Sequence, residues 1–289
     1  MKKLKVIGVS RGNKYSPNMV DKDAAIFNLV TEKLREKGWT VEVYSEEEFV
    51  RRNLTADVIY NMARDAQTID SLCKLEDAGA MVINSGYGIK NCGRQQLTEL
   101  LQKGGVPYPK SFVIATDVPF NENFYPCWFK RGDSQAVEKN DVNFASSCED
   151  ANRILEDFQR RKIKTAVVSE HLKGDLVKFY GVRNTDFFDW YRSTPVTHSK
   201  FGLEVMNGEP IGYEFDVKEL KSWSDEAARI LNVPIYGGDC VVAANGSFKI
   251  IDFNDWPSFS YCCDKAGVAI ADCIVYLAKK KFNHGRGSE

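Results

Sequence analysis

The first ninety residues alternate short apolar runs with amphipathic stretches, and this restricts the fold more than any other feature. Leu4–Val9 is an apolar run of strand length, suited to a strand buried on both faces. After a polar loop, Ile26, Val30 and Leu34 recur at helical spacing, and Gly38 closes that helix. Trp39–Tyr44 alternates as a strand, and Ser45 before Glu46, Glu47 and Glu48 supplies an N-cap and an acidic first turn. Val58–Tyr60 then predicts a strand, Thr68–Ala78 a helix and Met81–Ile83 a fourth strand. Strands and helices alternating at this length imply a parallel sheet covered by helices, an α/β lobe.

Beyond it the pattern changes. A helix over Arg94–Lys103 ends at Gly104-Gly105, with Pro107 and Pro109 following. Ser111–Ile114, Cys127–Lys130, Thr165–Ser169 and Leu176–Val182 read as strands, and Ser147 caps a helix running towards Arg161. This stretch reads as a small α+β lobe. A helix over Val217–Leu231, strands over Ile235–Val242 and Phe248–Phe253, and a helix over Ala266–Lys281 complete the chain, with a frayed tail over 284–289. The expected division is 1–90, 91–182 and 183–289, and 289 residues suffice for three compact lobes.

Charge excludes some partners. With 39 basic against 40 acidic residues, net charge −1, there is no basic surplus for nucleic acid or for an anionic membrane surface. No stretch reaches the roughly 18–20 apolar residues that span a bilayer. The basic start, Met1 to Val9, is followed by Arg11 and Lys14 where a leader would be cleaved, so it reads as a strand. Eight cysteines without a Cys-x-x-Cys spacing read as reduced thiols of a cytoplasmic protein.

The chemistry concentrates near the C-terminus. Asn245-Gly246 between two apolar runs signals a hairpin. Such a hairpin brings Asp239 near Asp252, and Asp252 and Asn254, two apart, share a strand face. Two carboxylates and an amide at one hairpin end suit a hard cation such as Mg²⁺, or Mn²⁺, which takes oxygen ligands.

An acid, a second acid thirteen residues on, then x-Asn and Pro257 resembles the metal-binding signature of the ATP-grasp superfamily, with Asp252 where glutamate is usual. Asn84-Ser85-Gly86, Arg94 opening a helix and Gly105-Val106-Pro107-Tyr108-Pro109 resemble the start of its ATP-binding region. The resemblance covers about residues 1–281. It implies the α/β lobe followed by a two-lobed grasp, with ATP and Mg²⁺ as cofactors. Carried over residue by residue, it puts Lys130 on nucleotide phosphate and Glu170-His171-Leu172 with Asp175 at the hinge holding adenine and ribose. Lys178 would face the phosphates, and the loop through Ser134 would close over them. One departure stands out: where many amide-forming members carry a catalytic arginine, this chain has Gly237. Lys178, Arg192 and Lys200 are the cations that could replace it.

The order of elements resembles carboxylate–amine ligases of the glutathione synthetase and ribosomal-protein glutamate ligase type. This implies an acylphosphate attacked by an amine, on a small molecule or peptide. Leu176–Val182 and Ile251–Asn254 also resemble inositol phosphate kinases, and a regulator that binds nucleotide without turnover is a third reading. Ligands of open α/β sheets sit beyond the strands' carboxyl ends. There Arg11, Lys14, Asn61 and Arg64 suggest an anionic substrate, with His198 on a nearby loop. Phe187, Phe188, Trp190 and Tyr191 read as core. A homo-oligomer is compatible with the resemblance and illegible in the sequence.

Overall fold

The computed structural model describes residues 4–16, 19–133, 138–194 and 209–283. Three four-stranded sheets organise the described residues. The first contains β1 (Val6–Ser10), β2 (Val41–Ser45), β3 (Val58–Asn61) and β4 (Met81–Ile83), all parallel in the order β2-β1-β3-β4. Its connections are α1 (Val20–Glu36), α2 (Glu46–Arg51) and α3 (Ala66–Asp77). Ser45 forms a full capping box with Glu48, and Asp65 caps α3 through the N–H groups of Gln67 and Thr68. Strands β1, β3 and β4 are buried on both faces, as their near-continuous apolar sequences require, while the edge strand β2 leaves Glu42 and Val43 exposed. Ile7, Val9, Ile59 and Val82 pack with Phe49, Leu72 and Ile89, while Val6, Val58 and Tyr60 pack with Ile26 and Val30 of α1.

The second sheet is antiparallel in the order β5-β8-β6-β7, from β5 (Ser111–Ala115), β6 (Cys127–Arg131), β7 (Val142–Ala145) and β8 (Thr165–Glu170). One face packs on α6 (Cys148–Arg160) through Phe129, Val168, Leu155 and Phe158. The third sheet, β10-β9-β11-β12, is also antiparallel. It comprises β9 (Asp175–Val182), β10 (Phe188–Arg192), β11 (Ile235–Val242) and β12 (Phe248–Asp255). Behind it lie α5 (Arg94–Lys103) and α7 (Val217–Leu231), packing Leu97, Leu101, Leu220 and Leu231 on Val177, Phe179 and Ile250.

Three elements pair or pack across the expected sequence boundaries. The strand over Leu176–Val182, expected in the middle lobe, pairs with β11 and so belongs to the third sheet. The helix at Arg94 also sits on that sheet. The final helix, α8 (Cys263–Asn283), returns to the first sheet, where Ile270 and Ile274 join the core of α1. No helix of the described residues is long and apolar enough to cross a membrane.

Candidate functional site

Side chains on one face of the third sheet form two cross-strand rows. Tyr191, Lys178, Asp239 and Asp252 stand opposite one another across β10-β9-β11-β12, and Asp189, Tyr180, Gly237 and Asn254 form the next row. The hairpin turns at Asn245-Gly246 as expected, Gly246 taking a φ of +81°. A regular hairpin would nevertheless have failed. Val242 pairs with Phe248 and Cys240 with Ile250, a register that continued unbroken would place Asp239 opposite Ile251 and turn Asp252 to the far side. A β-bulge at Ile251 adds one residue, flips the parity and sets Asp252 directly opposite Asp239.

The second sheet closes over this face. Phe129 points to its own core, so Lys130 points the other way, and its Nζ donates to the carbonyl of the bulged Ile251 at 3.0 Å. Arg94, first residue of α5, comes within 3.9 Å of Asp252 while its Nε has no hydrogen-bond partner among the described residues. Both cations are buried, at 8 % and 6 % exposure. Burial, followed by the charge of Arg94, pulls the Lys130 ammonium down to about 8. Buried charges are normally paired, yet among the described residues Lys130 has no carboxylate in ion-pair range. Lys178 bonds Asp239 at 3.1 Å.

Asp239, Asp252 and Asn254 fit a hard divalent cation. All three offer oxygen from one sheet face, and the carboxylates remain partly accessible, at 23 % and 30 %. Among the described residues no three His, Cys, Asp or Glu side chains cluster as a complete metal cage. Two carboxylates with phosphate oxygens completing the shell is the arrangement Mg²⁺ favours.

The connection from β8 to β9 joins the two sheets. Glu170 meets Lys249 of β12 at 2.5 Å and accepts from the Lys110 N–H at 2.8 Å. Burial raises its carboxyl, but these donors outweigh that and hold it below the usual range. His171 accepts from the Trp128 indole at 3.2 Å, and burial followed by the charge of Lys173 lowers its pKa. Leu172 is half-buried beside it. Gly174 has a φ of +153°, and a Cβ there would overlap the Val242 carbonyl, so the crossover needs glycine.

Several expected site residues have other work. Asp175 accepts from the backbone N–H groups of Ile211, Gly212 and Tyr213 at 2.7–2.8 Å. Arg192, offered above as a catalytic cation, donates to the Tyr213 carbonyl at 2.6 Å and lies 3.4 Å from Asp175, its guanidinium over Trp190 and Phe215. Asn61 is buried, bonding the carbonyls of Ile83 and Asn84 and the Ala63 N–H. Arg11 donates to Met62, Asp23 and Trp256, and Arg64 to Ala63 and Asp255, so both link parts of the protein. Lys14 alone of that group is largely exposed, 3.5 Å from Asp65. Ser134, His198 and Lys200 lie outside the described residues. Tyr191, read as core, instead shares the site face with Lys178 and is covered by Tyr261 at 4.7 Å. At Gly237 a Cβ would lie 2.8 Å from Pro257, so a side chain there would require its neighbours to shift.

Asp175→Ala provides a check. Losing the carboxylate leaves three backbone donors, and the thermal midpoint at pH 7 should fall on the order of 5–10 °C. Burial raises the Asp175 carboxyl, and the three donors with Arg192 bring it below its ordinary value. Its contribution is therefore complete above the ordinary carboxylate range and is lost as pH falls through the depressed value. Wild type and variant should converge in acid; a gap that persists there contradicts the assignment.

No family model matches the chain, and no curated protein matches its sequence. Solved structures do match its shape. D-alanine–D-alanine ligase from Bacillus anthracis, complexed with ATP, superposes with a TM-score of 0.70 at 12 % identity, covering 98 % of this chain and 100 % of that one. The ATP-grasp ligase PsnB, complexed with a precursor peptide and AMPPNP, gives 0.62 at 16 % identity over 96 % and 98 %. A RimK-domain ATP-grasp protein from Sphaerobacter thermophilus gives 0.65 at 14 % identity over 93 % and 99 %. From end to end, this chain has the ATP-grasp fold.

Proposed function

We propose that the protein is an ATP- and Mg²⁺-dependent ligase that activates a carboxylate as an acylphosphate and joins it to an amine. The observation that carries this reading is the pair of buried cations, Lys130 and Arg94, facing the Asp239, Asp252 and Asn254 corner. A cluster with buried positive charge on one side and oxygen ligands on the other is complementary to a metal-bound polyphosphate. The fold points the same way, since structures that share it are ligases, one of them complexed with ATP.

In this reading Lys130 and Arg94 bind phosphate oxygens, and Lys178 sits between them and the acceptor side of the face. The 170–172 crossover flanks the adenine and ribose. Asp239, Asp252 and Asn254 hold Mg²⁺, which when bound neutralises charge on the transferred phosphoryl group. With glycine at 237, this reading gives Lys178 the task of stabilising charge on the substrate carbonyl. A small molecule or peptide carrying the carboxylate is the substrate class, as PsnB is complexed with a precursor peptide. Lys14, largely exposed beyond β1, would favour an anionic one.

The test replaces the amine by hydroxylamine, which traps acylphosphates. With ATP, Mg²⁺ and the carboxylates of a cell extract, hydroxamate should form together with ADP and phosphate. Formation of a phosphorylated product without hydroxamate would mean kinase chemistry instead.

The Lys130 value supplies a second check. An ammonium at about 8 in the free protein is returned towards its ordinary value by polyphosphate. Binding AMPPNP at pH 8 should therefore draw a proton onto Lys130, an uptake missing from Lys130→Met, measured by calorimetry of both proteins in buffers of different ionisation enthalpy. Affinity should weaken as pH rises above 8. The same buffer dependence in both proteins would remove Lys130 from the phosphate site.

A further inference from the structure

We propose that Arg64 is a positioning residue that fixes the metal-binding end of β12 from the first lobe. This rests on the reading of Asp239, Asp252 and Asn254 as the Mg²⁺ site. Asp255 follows Asn254 and points to the opposite face, away from the metal corner. There Arg64 grips it twice, Nη1 on the carboxylate at 2.5 Å and Nη2 on the backbone carbonyl at 2.9 Å. Arg11 takes the next carbonyl, that of Trp256, at 2.9 Å. Two guanidiniums from the ends of β1 and β3 thus hold two consecutive peptide units directly after Asn254.

Both arginines are themselves held. Glu46, buried at the start of α2, accepts from the N–H groups of Gly12, Arg64 and Asp65. One carboxylate therefore braces both arginine loops. At the other end the chain leaves β12 in a conformation that needs bracing. Trp256 and Phe259 have φ of +33° and +49°, unusual for large aromatics, and both are fully buried. Left-handed residues of this kind persist where their surroundings over-determine them.

Stability alone explains this cluster poorly. Buried ion pairs contribute little net stability, and here Asp23 Oδ1, Asp255 Oδ1 and Trp256 Nε1 are buried without hydrogen-bond partners among the described residues. Position explains it better. Rotation of the Asp255 peptide would carry Asn254 off the Asp252 face, and the bidentate grip of Arg64 opposes that rotation. Groups behind metal ligands typically contribute 10–100-fold to metal affinity.

The experiment measures Mn²⁺ binding in the presence of AMPPNP by electron paramagnetic resonance, with metal-free AMPPNP affinity and the thermal midpoint measured in parallel. Arg64→Met should weaken Mn²⁺ binding by roughly tenfold or more, while metal-free AMPPNP affinity changes less than about twofold. Arg64→Lys keeps the charge but loses the fork, and should recover part of the Mn²⁺ affinity. Wild-type Mn²⁺ affinity in a folded Arg64→Met, whatever its midpoint, would overturn the positioning role. If that variant does not fold, wild-type affinity in Arg64→Lys would do so. Absence of Mn²⁺–AMPPNP binding in the wild-type protein would instead sink the metal-site reading, and this proposal with it.

Discussion

Replacing Asp252 by alanine should reduce Mg²⁺-dependent ATP turnover by about three orders of magnitude or more, because a bound cation contributes several kcal/mol to stabilising phosphoryl charge. Asn254→Ala should act in the same direction with a smaller loss. Neither change should unfold the protein. Asp252 is partly accessible and its nearest cation, Arg94, is 3.9 Å away, so no tight buried pair is broken. Far-ultraviolet circular dichroism and the thermal midpoint should stay near wild type. Normal turnover in either variant would remove the metal corner from the account.

Lys130→Met should give opposite results in two measurements. Lowering the Lys130 ammonium to about 8 from its ordinary 10.5 means that holding it charged costs the folded, ligand-free protein on the order of 3 kcal/mol at neutral pH. The sign follows from the depressed value: the cost is full below about 8 and disappears as pH rises through the window up to 10.5. Methionine removes that cost while filling similar space, so the thermal midpoint at pH 7 should rise by several degrees, and the gain should vanish towards pH 10.5. AMPPNP affinity should fall by about 10–100-fold, the worth of a charge-assisted hydrogen bond in a dry site. A variant that is both less stable and unchanged in affinity would show that Lys130 is a structural lysine for the Ile251 carbonyl.

Residues with local reasons for their conformation were legible in the sequence. The helix expected over Val217–Leu231 spans those residues, with Asp216 as its N-cap. Ser45 with Glu48 and Ser147 cap their helices as their spacing indicated. Elements that depend on distant partners were not legible. The short helix α4 (Gly86–Asn91) carries two glycines, and its Gly88 is required because a Cβ would overlap the Asn232 carbonyl. The strand over Leu176–Val182 looked like a companion of the strands before it, because nothing local says that it pairs with β11, some sixty residues on.

The same division runs through the candidate site. The oxygen-bearing trio and the turn at Asn245-Gly246 could be read directly. The bulge that makes the trio converge was available only as arithmetic: positions 239 and 252 cannot share a face in a hairpin closed by Val242 and Phe248 without an extra residue. The backbone partners of Asn61, Asp175 and Arg192 were not legible, because a polar side chain near a strand end looks the same whether it awaits a ligand or a remote backbone group. Asn84 shows the second case plainly. Its amide both donates to and accepts from the backbone of Ile235, at 2.7 and 3.0 Å, tying the first sheet to the third.

Mass spectrometry of the products formed from ATP, Mg²⁺ and a cell metabolite extract addresses the central claim most directly. The account predicts an amide whose mass is that of a consumed carboxylate and a consumed amine less one water, formed in step with ADP and phosphate. A product heavier than a single substrate by one phosphoryl group, or ATP left intact with every metabolite unchanged, would contradict it.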